Sequence, residues 1–158
     1  MAKFEQLNDY VFNTLQALIG NQNLCKLLKY NNTDPLSQPD IEDASVLIMD
    51  KIYPMPNIPG TQAEESSLLN IIFDNFKLSS DNKGTKDGTL VINIIVHNNL
   101  WLMNGRLRPF SILAELDKTF NDKRIVGIKK MQFDRGRYYF INEKFSGYQV
   151  IYQVVSTN

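Results

Sequence analysis

The chain has 158 residues, a length that suits one domain and can bury a core without disulfides or metals. Hydrophobic residues make up 43% and charged residues 22%, with 17 cations balancing 17 carboxylates; this excludes a disordered chain, and the lack of any apolar run near the roughly 20 residues that span a bilayer excludes a helical membrane protein. One cysteine, Cys25, excludes an internal disulfide and suits a reducing compartment, and the polar residues 1–6 carry no secretion signal, so synthesis in the cytoplasm is expected.

Phe4, Leu7, Val11, Leu15, Leu18 and Ile19 recur at helical spacing, which predicts an amphipathic helix that Gly20 ends. Leu24, Leu27 and Leu28 predict a second short helix directly after it, with Cys25 close by. Asn31, Asn32, Thr33, Asp34 and Pro35 are turn residues. Asp40 can cap free N–H groups, and Glu42 and Asp43 suit a first turn. Together they predict a third helix through Val46, Leu47 and Met49 to residue 52. Pro54, Pro56 and Pro59 forbid helix and regular sheet pairing, so residues 53–60 read as an extended connector that Glu64 and Glu65 continue.

Beyond the connector the pattern turns to strands. Residues 68–78 alternate through Leu69, Ile71 and Phe73. Residues 79–88 are polar, contain Gly84 and Gly88, and read as a long, exposed and mobile hairpin loop. Residues 89–97 are apolar on both faces, as in a central strand covered on both sides. Pro109 opens a helix with the stripe Ile112, Leu113, Leu116 and Phe120, and Asn121, Asp122 and Lys123 end it. Residues 127–133 and 137–141 read as a second hairpin turning at Asp134, Arg135 and Gly136. Tyr148, Val150, Tyr152 and Val154 then alternate with Gln149, Ile151 and Gln153 in a closing strand. The fold class that follows is α+β: a mostly antiparallel, mixed sheet with a long β-hairpin, packed with N-terminal helices and one later helix. One domain is expected, with a helical part (1–52), a proline-rich connector (53–66) and a sheet-plus-helix part (67–158).

Few residues suit proton or metal chemistry. His97 is the only histidine and ends the central strand, where a hydrogen bond to a neighbouring loop is favoured over a general-base or metal-ligand role. Cys25 lies among leucines and reads as a buried, inert thiol. One Cys and one His cannot build a zinc site, and neither a phosphate-cradling glycine loop nor a nucleophile elbow occurs. No catalytic group, cofactor or metal is therefore expected. Asp81 and Lys83 have the Asp-x-Lys spacing of one class of metal-dependent nuclease, but on a loop rather than a strand.

Charge is uneven along the chain. Residues 1–80 hold five cations against ten carboxylates, net −5, and residues 81–158 hold twelve against seven, net +5. Such polarity either marks complementary contacts between copies or vanishes as the halves mix in space. In the basic last third, Glu115, Asp117, Asp122, Asp134 and Glu143 interrupt the cations, which favours a solvated or subunit-facing surface over one for nucleic acid. The candidate protein-contact residues are Lys83 and Lys86 in the 79–88 loop, and Arg106, Arg108, Arg135 and Arg137 in the basic third. Trp101 joins them, either filling a partner's pocket or closing the sheet–helix core.

The order of elements resembles the tail terminator and related neck, or head–tail joining, proteins of tailed bacteriophages. The features that match are the helix of residues 4–19, the hairpin of residues 68–97 with its long polar loop, the helix of residues 108–121, and the tail Gly147, Tyr148, Gln149, Val150, Ile151, Tyr152. The resemblance covers most of the chain by element order, without a diagnostic motif. It implies a non-enzymatic virion protein, made in the host cytoplasm, that assembles into a hexameric ring terminating the tail tube or joining it to the head. The implied partners are further copies of itself and other tail or neck proteins, with DNA in the channel as an additional contact and no membrane. Opposite charge on the two halves suits a head-to-tail ring interface, with Arg106 and Arg108 placed in it. The alternatives from other classes are a host-directed binding or inhibitor module, and a small metal-dependent nuclease relying on Asp81 or His97.

Overall fold

Leu15 and Leu18 turn inward on α1 (Gln6–Ile19), and the chain reverses at Gly20 and Asn21 into α2 (Gln22–Lys29). Asn21 caps α2 by accepting the Leu24 N–H, and Leu24, Cys25, Leu27 and Leu28 are all buried. This computed structural model describes residues 3–157; Met1 and Ala2 of the polar N-terminus, and Asn158, lie outside the described residues.

The third helix predicted over 40–52 is replaced by a single 3-10 turn, Ala44–Leu47, which Asp43 caps through the Ser45 N–H. Met49 then takes a φ of 67°, and the chain enters β1 (Ile52–Tyr53). The residues of this segment that reach the core are Ile41, Leu47 and Ile52, spaced six and five apart, and that spacing fits no single helix face. β1 pairs in parallel with Leu69 and Asn70 of β2 (Ser67–Leu78). Tyr53, expected in an unpaired connector, thus belongs to the sheet, and only from Pro54 onward does the connector leave it. The Asn57 carbonyl accepts from Asn70 Nδ2 at 3.2 Å and the Pro59 carbonyl from Asn142 Nδ2 at 2.9 Å, which ties the connector across one sheet face.

The remaining elements are β3 (Thr85–His97), α3 (Arg108–Phe120), β4 (Gln132–Phe140) and β5 (Phe145–Thr157). They complete a five-stranded mixed sheet of order β1-β2-β3-β5-β4, antiparallel except at β1. The class is α+β, as the sequence predicts. Two boundaries differ. Thr85, Lys86, Asp87 and Gly88 are not loop: they pair with Val154, Val155, Ser156 and Thr157 of β5, so the long loop shrinks to residues 79–84. Backbone pairing needs no apolar side chains, and β5 runs far enough to supply partners. Asp134, Arg135 and Gly136 are likewise not a hairpin turn. β4 runs through them with an irregular register between Phe133 and Arg135, which absorbs the turn-forming residues as a bulge. The actual turn is at 141–144, where Asn142 Oδ1 accepts the Lys144 and Phe145 N–H groups. β5 is consequently an interior strand, and β4 is the edge.

Leu90, Ile92, Ile94 and Val96 of β3 meet Val150, Tyr152 and Val154 of β5 beneath the helices, forming the main core. On the opposite face Leu68, Ile95 and Phe145 form a smaller cluster against Tyr53, Tyr139 and Ile141. β3 is buried on both faces, as its apolar run implies.

Cys25 lies within this core, its Sγ 3.7 Å from the Leu18 and Ile19 carbonyls. Burial pushes the thiol up to about 11, so the nucleophilic thiolate is scarce at neutral pH. A thiol-labelling reagent at mildly alkaline pH is expected to modify the native protein at least about a hundredfold more slowly than the denatured chain, because labelling must wait for opening of the core. Equal rates, read from the absorbance of released reagent, would contradict this burial.

Candidate interaction surface

Arg108 begins α3 with its side chain turned inward, and is 1% exposed. Its Nε donates to the Leu100 carbonyl at 2.9 Å. Nη1 donates to Leu27 and Tyr30 at 2.6 and 3.0 Å, and Nη2 to Asn32 at 2.8 Å. The carbonyls from Leu27 to Tyr30 end α2, where the helix dipole favours a cation. Burial lowers the guanidinium to about 10, so it stays charged at neutral pH. Arg108 therefore clamps α2 to α3 and is withdrawn from the surface, contrary to its expected place in an interface.

Lys86 is withdrawn too. It is buried, its Nζ donates to the Thr157 carbonyl at 2.8 Å, and it lies 5.9 Å from the centre of the Phe4 ring. Burial, then Lys3, lowers its pKa. It ends on the core side because its partner in β5 is Ser156, in line with Tyr152 and Val154 beneath α1. Trp101 is half-buried against the main core, with its ring 6.1 Å from Tyr148. Lys83 and Arg106 are exposed, Lys83 in the 79–84 loop.

The groups weighed for chemistry are engaged locally. His97 Nδ1 accepts the Asn99 N–H at 3.1 Å, and its ring meets Phe145 edge-on at 5.0 Å. Asp81 Oδ1 accepts from Ser80, and Asn82 folds back on the Gly84 N–H. Among the described residues no group of three or more His, Cys, Asp or Glu side chains is placed to hold a metal ion.

Arg135 and Arg137 are the two predicted residues the fold brings together on an open surface. Both lie on β4, which is exposed along nearly its whole length and whose outer backbone groups face no further strand. Arg137 Nε donates to Gln149 Oε1 at 3.0 Å, and Gln149 Nε2 donates to Asn93 Oδ1 at 2.9 Å. Asn93 lies opposite Asn70 in β2, so Arg137, Gln149, Asn93 and Asn70 form one polar row across four strands. This row holds the Arg137 guanidinium at the sheet edge. Sequence reasoning passed over Asn70 and Asn93; the signal was a polar residue inside each of two apolar strands.

On the helix-side face of the same edge, Phe133, Tyr138 and Phe140 are 51%, 55% and 64% exposed. A groove of about 380 Å³ runs between Phe133 and α3, lined also by Leu113, Ala114, Asp117, Asn121, Val150 and Tyr152. Phe110 packs on Tyr148 at 5.0 Å, and Tyr138 meets the same ring at 6.0 Å. Aromatic residues exposed beside an unpaired strand are the usual composition of a protein-docking surface.

The charge polarity of the sequence is concentrated in two exposed segments. Residues 34–53, which lead into and include β1, expose Asp34, Asp40, Glu42, Asp43 and Asp50 against the single cation Lys51, net −4. Residues 122–137, which lead into and include most of β4, expose Lys123, Arg124, Lys129, Lys130, Arg135 and Arg137 against Asp122 and Asp134, net +4. β1 and β4 are the two edges of the sheet, about 19 Å apart at the usual strand spacing.

Fold and surface together define an α+β protein with two unlike sheet edges and an exposed aromatic strip on one of them. The sequence profile of the YomW family matches residues 21–154, and the chain belongs to that family, which is phage-associated. No curated protein matches the chain. No helix among the described residues is long and apolar enough to cross a membrane.

Proposed function

We propose that this phage-associated protein is a structural component of the virion that assembles head to tail into a closed ring at the tail end or head–tail neck. The observation that carries the reading is the separation of charge along the chain: the segment that leads into β1 is acidic, the segment that leads into and includes most of β4 is basic, and β1 and β4 are opposite edges of the sheet. A basic β4 edge on one copy and an acidic β1 side on the next are complementary, whereas two like edges repel. That selects a heterologous contact, and a heterologous contact closes into a ring when its rotation permits. Neither edge is covered by a further strand among the described residues: β4 along its outer side, and β2 beyond the two residues that β1 covers.

Sedimentation velocity or native mass spectrometry of the purified chain tests this directly. Assemblies of one defined copy number are expected at low ionic strength. Their apparent dissociation constant should rise at least about tenfold between roughly 0.05 and 1 M salt, as screening removes the edge-to-edge attraction. A strict monomer at all concentrations sinks the proposal and favours a host-directed binding module instead.

A further inference from the structure

We infer that Asn104–Gly105 is a self-modifying site, where the backbone nitrogen of Gly105 attacks the Asn104 carboxamide and converts it, with loss of ammonia, into aspartate and isoaspartate. The inference stands apart from the head-to-tail reading. Asparagine is followed by glycine at one place in the chain. The pairing matters because the nucleophile is the nitrogen of the following residue, and glycine leaves its approach free of a Cβ. Ring closure is intramolecular, so its rate depends on how freely the two groups can meet.

The fold leaves this pair open. Leu102 and Leu107 form an antiparallel bridge, and the Met103 N–H donates to the Arg106 carbonyl at 2.8 Å, so Asn104 and Gly105 are the central residues of a tight turn. Both are exposed. Gly105 has a φ of 71°, in the left-handed region, and nothing lies within 4 Å of the place a Cβ would occupy. Among the described residues no group accepts the Gly105 N–H, and none bonds the Asn104 carboxamide. Neither reacting group has to give up a partner before the ring closes. Asp87–Gly88 is the aspartate–glycine counterpart, capable of the same closure with loss of water, and the fold treats it in the opposite way. Asp87 pairs with Lys77 of β2 and Val155 of β5, and Gly88 pairs with Val154. Asp87 Oδ1 also accepts from Ser79 Oγ at 2.7 Å. Backbone held between two strands reaches the ring geometry only when the sheet opens.

The reaction balances with solvent alone. A buffer base takes the Gly105 amide proton. The nitrogen then bonds to Asn104 Cγ, the Cγ–Nδ2 bond breaks, and Nδ2 takes up a proton and leaves as ammonia. Water opens the resulting cyclic imide. Opening at Cγ leaves an ordinary aspartate linkage, whereas opening at the main-chain carbonyl carbon routes the backbone through the side chain as isoaspartate. Either product places a carboxylate at position 104, next to Arg106 in the chain. Isoaspartate also lengthens the main chain of the turn by one carbon. The Asn104 N–H donates to the Thr33 carbonyl at 3.0 Å and so ties the turn to the loop after α2, and the longer backbone weakens that tie.

The purified chain is incubated folded and in guanidinium chloride, and both glycine sites are followed by peptide mapping with mass spectrometry. In the folded protein the Asn104 peptide is expected to gain about 1 Da and to separate into aspartate and isoaspartate forms. It should convert at least about tenfold faster than any other asparagine peptide. Its rate should rise roughly tenfold per pH unit in neutral to mildly alkaline buffer, because the amide must first lose a proton. The Asp87 peptide is expected to form isoaspartate only in the denatured chain. Gly105→Ala should slow conversion at Asn104 at least about tenfold by crowding the nucleophile. Alanine is strained at this φ, so circular dichroism first establishes that the variant folds; the comparison of folded with denatured wild type tests the site without it. Conversion at Asn104 only in the denatured chain would show that the native turn protects the pair and would overturn the inference. So would a folded-state rate no faster than that of the other asparagines.

Discussion

Replacing Arg108 with alanine is expected to destabilise the fold by about 4 kcal/mol or more, a large part of the roughly 5–15 kcal/mol that holds a domain of this kind together. The side chain spans the junction between α2 and α3, and its donors serve the carbonyls of Leu27, Tyr30, Asn32 and Leu100. Alanine leaves the Leu27 and Leu100 acceptors in a pocket that water reaches poorly, and it leaves a cavity where the stem was. Leaving one buried acceptor unpaired costs about 1–3 kcal/mol, so even partial relaxation leaves a large loss. Two further variants separate the causes. Arg108→Met keeps the apolar stem and should lose nearly as much as alanine if the hydrogen bonds dominate. Arg108→Lys keeps the charge but cannot reproduce the guanidinium fork, and should fall in between. Urea unfolding followed by fluorescence measures all three, and an alanine variant within about 1 kcal/mol of the wild type would refute the clamp.

The second large effect is expected at Gly147, where β5 meets β3. A Cβ at this position would collide with the carbonyl oxygen of Ile94, a backbone atom in the strand buried on both faces. Backbone in the middle of a sheet cannot swing aside as a flexible side chain can. Gly147→Ala is therefore expected to cost about 3 kcal/mol or more, at the upper end for overpacking a core, and to lower the thermal midpoint by roughly 6–12 °C for a domain of this length. Gly136 is the internal control. It lies on the exposed edge strand, and a Cβ there would meet the Gln149 carbonyl at an ordinary 3.5 Å, so Gly136→Ala should change the midpoint little. Equal effects at the two glycines would show that the close approach of β5 to β3 does not limit stability.

Much of the local structure was legible. The stripes of α1, α2 and α3 and the apolar run of β3 specify their elements, because each buries a face large enough to dominate its own conformation. Turn chemistry located the break at residues 31–35, but it misled where β5 runs alongside. Asp134, Arg135 and Gly136 form a good turn in isolation, yet β5 offers a continuous partner and turns them into a bulge. The polar run from Thr85 to Gly88 reads as loop until β5 is seen to extend alongside it. Asp40, Glu42 and Asp43 are sound helix-start residues, but the apolar residues after them do not fall on one helix face.

The candidate surface divides in the same way. Arg135 and Arg137 could be singled out as cations near aromatic residues; Arg108, with the same residue type and the same neighbourhood in sequence, could not be distinguished from them. The difference lies in partners about 80 residues away: Arg108 reaches the carbonyls of α2, whereas among the described residues no strand lies beyond β4.

The sequence by itself determined the α+β class, the opposite charge of the two halves, and the sparse supply of groups for proton or metal chemistry, all of which follow from residue type and local period. Only the tertiary structure decided that β4 is an edge, that the acidic and basic segments lead into opposite edge strands, and that Asn70, Asn93, Gln149 and Arg137 share a row. The physical reason is that hydrophobic patterning records how deeply each residue is buried, while strand order and register record which distant segment buries it.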